Sequence, residues 1–223
     1  MLSYLGPLFL TIKLATITTI ILIVIGTPVA WWLAKTQTRI KPLIEALIAL
    51  PIVLPPTVIG FYLLIVMSPQ SPLGAFWVEL TGETLTFSFF GLVVASVVYS
   101  FPFVVQPLQA AFETVSHDLM EAAHTLGAKS RDAFFSVAIP MAKRGYLTAA
   151  VLGFAHTLGE FGVVLMIGGN IPGETRLISI AIYDHVESLE YTQAHVLSAI
   201  LLGFAFITML MMYVLNYKSR KPA

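Results

Sequence analysis

"EAAHTLGAKSRDAFFSVAIPMA", Glu121 to Ala142, is a polar, helix-forming stretch set between two long apolar blocks. Ser116, just upstream, is an N-cap residue, and Asp118 and Glu121 follow where the helix dipole favours acids. Leu119, Ala122, Ala123 and Leu126 recur at helical spacing and make one apolar stripe. Gly127 comes directly after it, where a left-handed residue ends a helix. Ser130 is placed to cap a second helix over about 131–139, with Phe134, Phe135 and Val137 as its large apolar residues. Pro140 is expected to stop that helix. Residue spacing alone leaves two readings of this corner. It is either a loop folded against its own flanking helices or a preformed knob for a partner's groove.

The flanking blocks decide the solvent. Of the 223 residues, 57% are hydrophobic and 11% charged, and the mean hydropathy is +0.88. A soluble domain carries roughly a quarter charged residues. A helical span needs about 20 mainly apolar residues. Five such blocks are readable, over residues 8–34, 43–67, 87–111, 146–168 and 196–217. The first is too long for a signal peptide and ends in Trp31 and Trp32, residues suited to a membrane interface. The expected architecture is therefore all-α: a single polytopic membrane domain over residues 1–223, with one large loop at 113–145. Cysteine is absent, which excludes disulfides, thiolate metal sites and cysteine nucleophiles.

Net charge is zero, but its distribution is not even. Lys35, Arg39 and Lys41 follow the first span. Lys129, Arg131, Lys143 and Arg144 follow the third, and Lys218, Arg220 and Lys221 form the tail. These segments share one side and hold ten of the twelve basic residues. The positive-inside rule puts that side in the cytoplasm and the N-terminus outside.

"LPIVLPP" interrupts the second span with Pro51, Pro55 and Pro56. It reads either as a kinked helix or as a broken one that lines a pathway. Two segments fall outside the membrane. Residues 68–86 are rich in turn formers. Residues 170–195 carry "RLISIAIYDHV", readable as a solvated loop or as a short amphipathic surface helix. Gly153, Ala155, Gly159 and Gly162 are candidates for close helix packing.

The opening stretch resembles the loop signature of the permease subunits of bacterial ATP-binding-cassette importers. That signature is Glu-Ala-Ala, three residues, Gly, nine residues, then Ile-x-Leu-Pro. The chain has Glu121-Ala122-Ala123, Gly127 and Val137-Ala138-Ile139-Pro140 at those spacings. "TLGEFGVVLMIGGNIPGETRLISIAIYDHV", "LPIVLPPTVIG" and "SFPFVVQPLQAAFE" are similar to the oxyanion branch, molybdate first, with tungstate and sulfate beside it. The resemblance implies a type I importer transmembrane fold in a bacterial cytoplasmic membrane. It also implies a homodimer, two ATPase subunits docked on the loop and an external oxyanion-binding protein. The docking residues it implies are Glu121, Ala122, Ala123, Leu126, Gly127, Ile139 and Pro140. ATP and Mg would be bound by the ATPase partner, with no cofactor or metal in this chain and no nucleic acid partner.

Other residues carry chemistry of their own. Glu160 is an ionisable group inside a span, which is costly and so faces protein or water. His156 lies one turn before it. Ser96, Ser100 and Thr157 are neutral hydroxyls. With Glu160 they are the candidate pathway or gate residues, each with packing as the alternative. "GGNIPGET" has P-loop spacing but Glu174 stands where phosphate binding needs lysine, so nucleotide binding is excluded. The five histidines do not form a metal-ligand pattern, and no nucleophile motif appears, so no catalytic residue is expected. Two rival classes remain: an ion-coupled secondary transporter or channel using Glu160, and an intramembrane enzyme.

Overall fold

The computed structural model describes residues 2–218. The tail residues Arg220 and Lys221 lie outside them. No strand occurs among the described residues. Three helices are long and apolar enough to cross a membrane: α1 (Leu2–Lys35), α5 (Phe89–Glu113) and α12 (Tyr191–Lys218). They correspond to the first, third and fifth expected spans. Four threonines inside α1 satisfy their hydroxyls locally, since Thr11, Thr16, Thr19 and Thr27 each donate to the carbonyl four residues back, while the buried Thr18 hydroxyl has no partner.

The second span is broken rather than kinked. α2 (Lys41–Val53) and α3 (Pro56–Met67) meet at 111°. At 1.5 Å per residue neither alone crosses a bilayer core of about 30 Å. The cause is local. Leu54 and Pro55 each precede a proline, which disfavours the helical region, and both are extended, with ψ of 139° and 137°. The fourth span is also bent, by 61°, between α9 (Lys143–Leu158) and α10 (Gly162–Gly168).

α1, α5 and α9 pack together as the centre of the bundle, and α10 lies on α3 and α5. Close approaches occur where side chains are missing. A Cβ at Gly153 would stand 2.6 Å from Val104 Cγ2, and one at Gly162 would stand 2.7 Å from the Pro56 ring. Gly159 is exposed and nothing crowds it, so it is not a packing position, and Ala155 is half-buried. Gly162→Val is therefore expected to push α10 off α3, with an overpacking cost of about 1–3 kcal/mol. Gly159→Ala should be close to neutral. Thermal midpoints of the two purified variants check this contrast; equal midpoints would remove it.

Two segments between spans are more ordered than their turn residues suggest. α4 (Pro72–Thr81) starts at Ser71, whose hydroxyl accepts from the Gly74 amide at 3.0 Å, and ends at Gly82 with φ 77°. Of the two readings of "RLISIAIYDHV", the solvated loop does not hold: Ile178–Glu187 forms a helix, α11. It buries Ile178, Ile180 and Ala181 against α1 and α12.

Candidate functional site

The large loop begins with α6 (His117–Thr125), capped by Ser116, whose hydroxyl accepts from the Asp118 amide at 3.2 Å. Its end is a Schellman turn. The Ala128 amide donates to the Ala123 carbonyl, the Gly127 amide donates to His124, and Gly127 has φ 90°. A Cβ there would meet nothing within 4 Å. The backbone angle alone asks for glycine, not the space around it.

The second half departs from expectation at two residues. Ser130 does not cap; it is the first residue of α7 (Ser130–Ala133), and Lys129 precedes it without a side-chain cap. Pro140 does not stop the helix. A π-helical turn over Phe134–Ala138 is followed by α8 (Ile139–Met141), and α9 starts at Lys143. The Ile139 amide reaches back five residues to the Phe134 carbonyl. Widening the turn in this way accommodates a proline that has no N–H and whose ring crowds the carbonyl four residues back.

The loop is firmly footed. Phe134 packs edge-on to Trp31 at 5.1 Å, Trp31 to Phe112 at 5.2 Å, and Phe112 to Tyr146 at 5.9 Å. Lys35 Nζ donates to the Val115 carbonyl at 2.9 Å. Gln109 Nε2 donates to Glu45 at 2.7 Å and to Glu113 at 3.0 Å, with Lys41 3.7 Å from both carboxylates. Thus α1, α2 and α5 all hold the base.

The tip, in contrast, is largely open, although Met120 of α6 packs on the core cluster at the loop's base. No residue of α6 is buried. Leu119 is 46% exposed and Leu126 is 89% exposed. Glu121, Ala122, Gly127 and Pro140 are exposed, while Ala123 and Ile139 are half-buried. The apolar stripe does not fold onto the chain's own spans. His117, Asp118 and Glu121 bring three possible ligand atoms within 4.8 Å, but all are exposed and His117 and Glu121 already pair at 3.4 Å.

A second polar group sits inside the bundle, at the α9–α10 break. Ser100 Oγ lies 2.9 Å from His156 Nδ1 and 3.0 Å from Thr157 Oγ1, and Thr157 donates to the Gly153 carbonyl at 2.9 Å. His156 stacks on Phe103 at 3.8 Å. Ser96, Ser100 and Thr157 are fully buried within this one chain. His156 therefore pairs with α5 and not with Glu160, because the helix that would align the two ends at Leu158. Glu160 is 4% exposed, and neither carboxylate oxygen has a hydrogen-bond partner. The Ser96 hydroxyl faces this carboxyl but makes no well-formed hydrogen bond to it. The backbone of Glu160 is held instead, since Ser179 Oγ of α11 donates to its carbonyl at 2.7 Å. Ser179 and Gln109 carry no sequence signal, and Trp31 reads in the sequence only as a membrane-interface residue, whereas it packs on Phe112 and Phe134. Their roles depend on partners 19, 64 and up to 103 residues away.

The glycine-rich loop at 168–176 is packed closed. A Cβ at Gly168 would meet Leu92 Cδ2 at 2.6 Å, and Thr175 Oγ1 donates to the Gly168 carbonyl at 2.6 Å. Arg176 is engaged by Asn170 at 2.6 Å and Asp184 at 3.3 Å.

Comparison with known proteins agrees with this arrangement. The family model for the binding-protein-dependent transport system inner membrane component matches residues 23–221. The chain is 56% identical over 209 residues to the molybdenum transport system permease protein ModB of Azotobacter vinelandii, covering 94% of this chain and 92% of the relative. It is 34% identical over 200 residues to the sulfate transport system permease protein CysT of Synechocystis sp., covering 90% and 70%. Its fold superposes on the crystal structure of a bacterial ABC transporter involved in alginate import with a TM-score of 0.76 at 13% identity, covering 97% and 80%. An all-helical membrane bundle with a footed, exposed loop, matched along nearly its whole length, belongs to the binding-protein-dependent transport system inner membrane components.

Proposed function

We propose that the chain is the permease subunit of an ATP-driven importer of molybdate, working by alternating access as a homodimer. The observation that carries this reading is the pairing of the exposed, aromatic-footed loop with 56% identity to a molybdenum permease. The loop docks a separate ATPase through Glu121, Ala122, Leu126 and Gly127, with Ala123, Ile139 and Pro140 shaping the corner. ATP and Mg bind in that partner. An external binding protein delivers the oxyanion to the opposite side, where the N-terminus lies. Motion of the docked loop reaches α1 and α5 through Trp31, Phe112 and Phe134. Transport follows because each ligand binds one of the two access states better than the other. Ser96, Ser100, Thr157 and Glu160 are placed at the bend of the fourth span, where a gate would move.

The relationship to a sulfate permease keeps sulfate as the second substrate reading, with tungstate as the chemical neighbour of molybdate. The test reconstitutes the permease with its ATPase and binding protein in vesicles. ATPase stimulation and uptake are then measured with each oxyanion. Molybdate-loaded binding protein should stimulate turnover and uptake well above sulfate-loaded protein. Uptake driven by an ion gradient without ATP would instead establish a secondary transporter.

A further inference from the structure

A groove of about 640 Å³ lies between the loop-bearing ends of α5, α9 and α12. Its floor is formed where α5 and α9 touch. Pro107 lines it, and a Cβ at Gly145 would stand 2.2 Å from Ala111 Cβ. Thr148 continues the floor one turn along α9. Tyr213 and Tyr217, four apart on α12, make the wall, each 64% exposed. Arg144 stands at the mouth beside the exposed Lys143, and none of the described residues that line the groove is acidic. α12 is an outer helix, packed mainly on α9 and α11, with 11% of its most apolar stretch buried. The groove therefore opens on the outer side of this chain's bundle and not towards its centre.

These features fit an amphiphile with an anionic head. Apolar backbone and aromatic rings suit an acyl chain. A guanidinium suits a phosphodiester, and tyrosines favour the membrane interface. Basic pockets between spans are where anionic headgroups lodge. The sequence adds Arg220 and Lys221 three and four residues after Tyr217, outside the described residues.

We propose that this groove binds an anionic phospholipid, its phosphate on Arg144 and one acyl chain between the α12 tyrosines and the α5–α9 floor. The bound lipid ties the outer helix to the start of α9, directly after the docking loop. The proposal rests on the chain spanning a membrane and not on which oxyanion it carries.

The test uses the assembled transporter in mild detergent. Phosphatidylglycerol or phosphatidylcholine is added at matched levels, and bound lipid is counted by native mass spectrometry. The wild type should retain phosphatidylglycerol at least ten-fold better. Arg144→Gln should fall to the phosphatidylcholine level, whereas Arg131→Gln, the same charge change on the loop, should retain it. Should Arg144→Gln not fold, Thr148→Phe keeps the charge, fills the groove, and should also lose the lipid. Equal retention of both lipids, or unchanged retention in either groove variant, overturns the proposal. So does displacement by inorganic phosphate alone, which marks a free-anion site. So too does retention by the isolated permease that vanishes on assembly, which marks a protein interface.

Discussion

Leu126→Glu is expected to abolish ATPase docking and reduce ATP-driven import at least thirty-fold, while leaving the melting of the isolated permease unchanged. Leu126 is 89% exposed at the tip of α6 and supports no contact within its own chain. A leucine buried only in the complex contributes about 1.5–3 kcal/mol, and a buried carboxylate without a partner adds a further cost. A loss above 2 kcal/mol is the range of an interface hot spot and corresponds to roughly thirty-fold in affinity. Co-purification with the ATPase and uptake in vesicles read the effect. Gly127 supplies an internal control. Its Cβ would meet open space, so only its φ of 90° penalises other residues. Gly127→Asn should keep docking, since asparagine tolerates the left-handed region, and Gly127→Val should lose most of it. If Leu126→Glu docks and transports normally, the loop tip is not the docking surface.

Glu160→Gln is expected to raise the thermal midpoint of the purified permease by several degrees and to cut import by at least ten-fold. Both carboxylate oxygens are buried, and the Ser96 hydroxyl that faces them makes no well-formed hydrogen bond to either. An unsatisfied buried group costs about 1–3 kcal/mol, more when charged. Removing its potential charge at nearly constant shape relieves much of that cost. Such an uncompensated group at a 61° helix break is what a moving element carries, with its partners supplied in the other state. The two readouts separate the roles. Higher stability with normal import would leave Glu160 as a packing residue. An unchanged midpoint would mean that the carboxyl is already satisfied.

Several features needed no coordinates. The long apolar blocks announce lipid-facing helices because 20 apolar residues have few other stable homes. The corner at Gly127 is legible because N-caps and left-handed C-terminal residues act within one turn. The proline cluster at 51–56 marks a disturbance, but local rules do not say how large. The angle of 111° follows from two consecutive extended residues and from where α10 receives α3. Pro140 illustrates the opposite failure. A breaker read locally became one residue of a continuing path, because a π-turn absorbed it.

Sequence by itself determined the solvent, the number of apolar blocks, the charged faces and the spacing of the loop. Each is set by residue chemistry within a few turns. Only the tertiary structure decided that α6 leaves Leu119 and Leu126 exposed, that His156 pairs with Ser100 and not Glu160, and that Ser179 holds the break. Those outcomes depend on which surfaces meet across tens of residues. Shape, backbone breaks and missing side chains fix those meetings, and none of them has a local pattern to read.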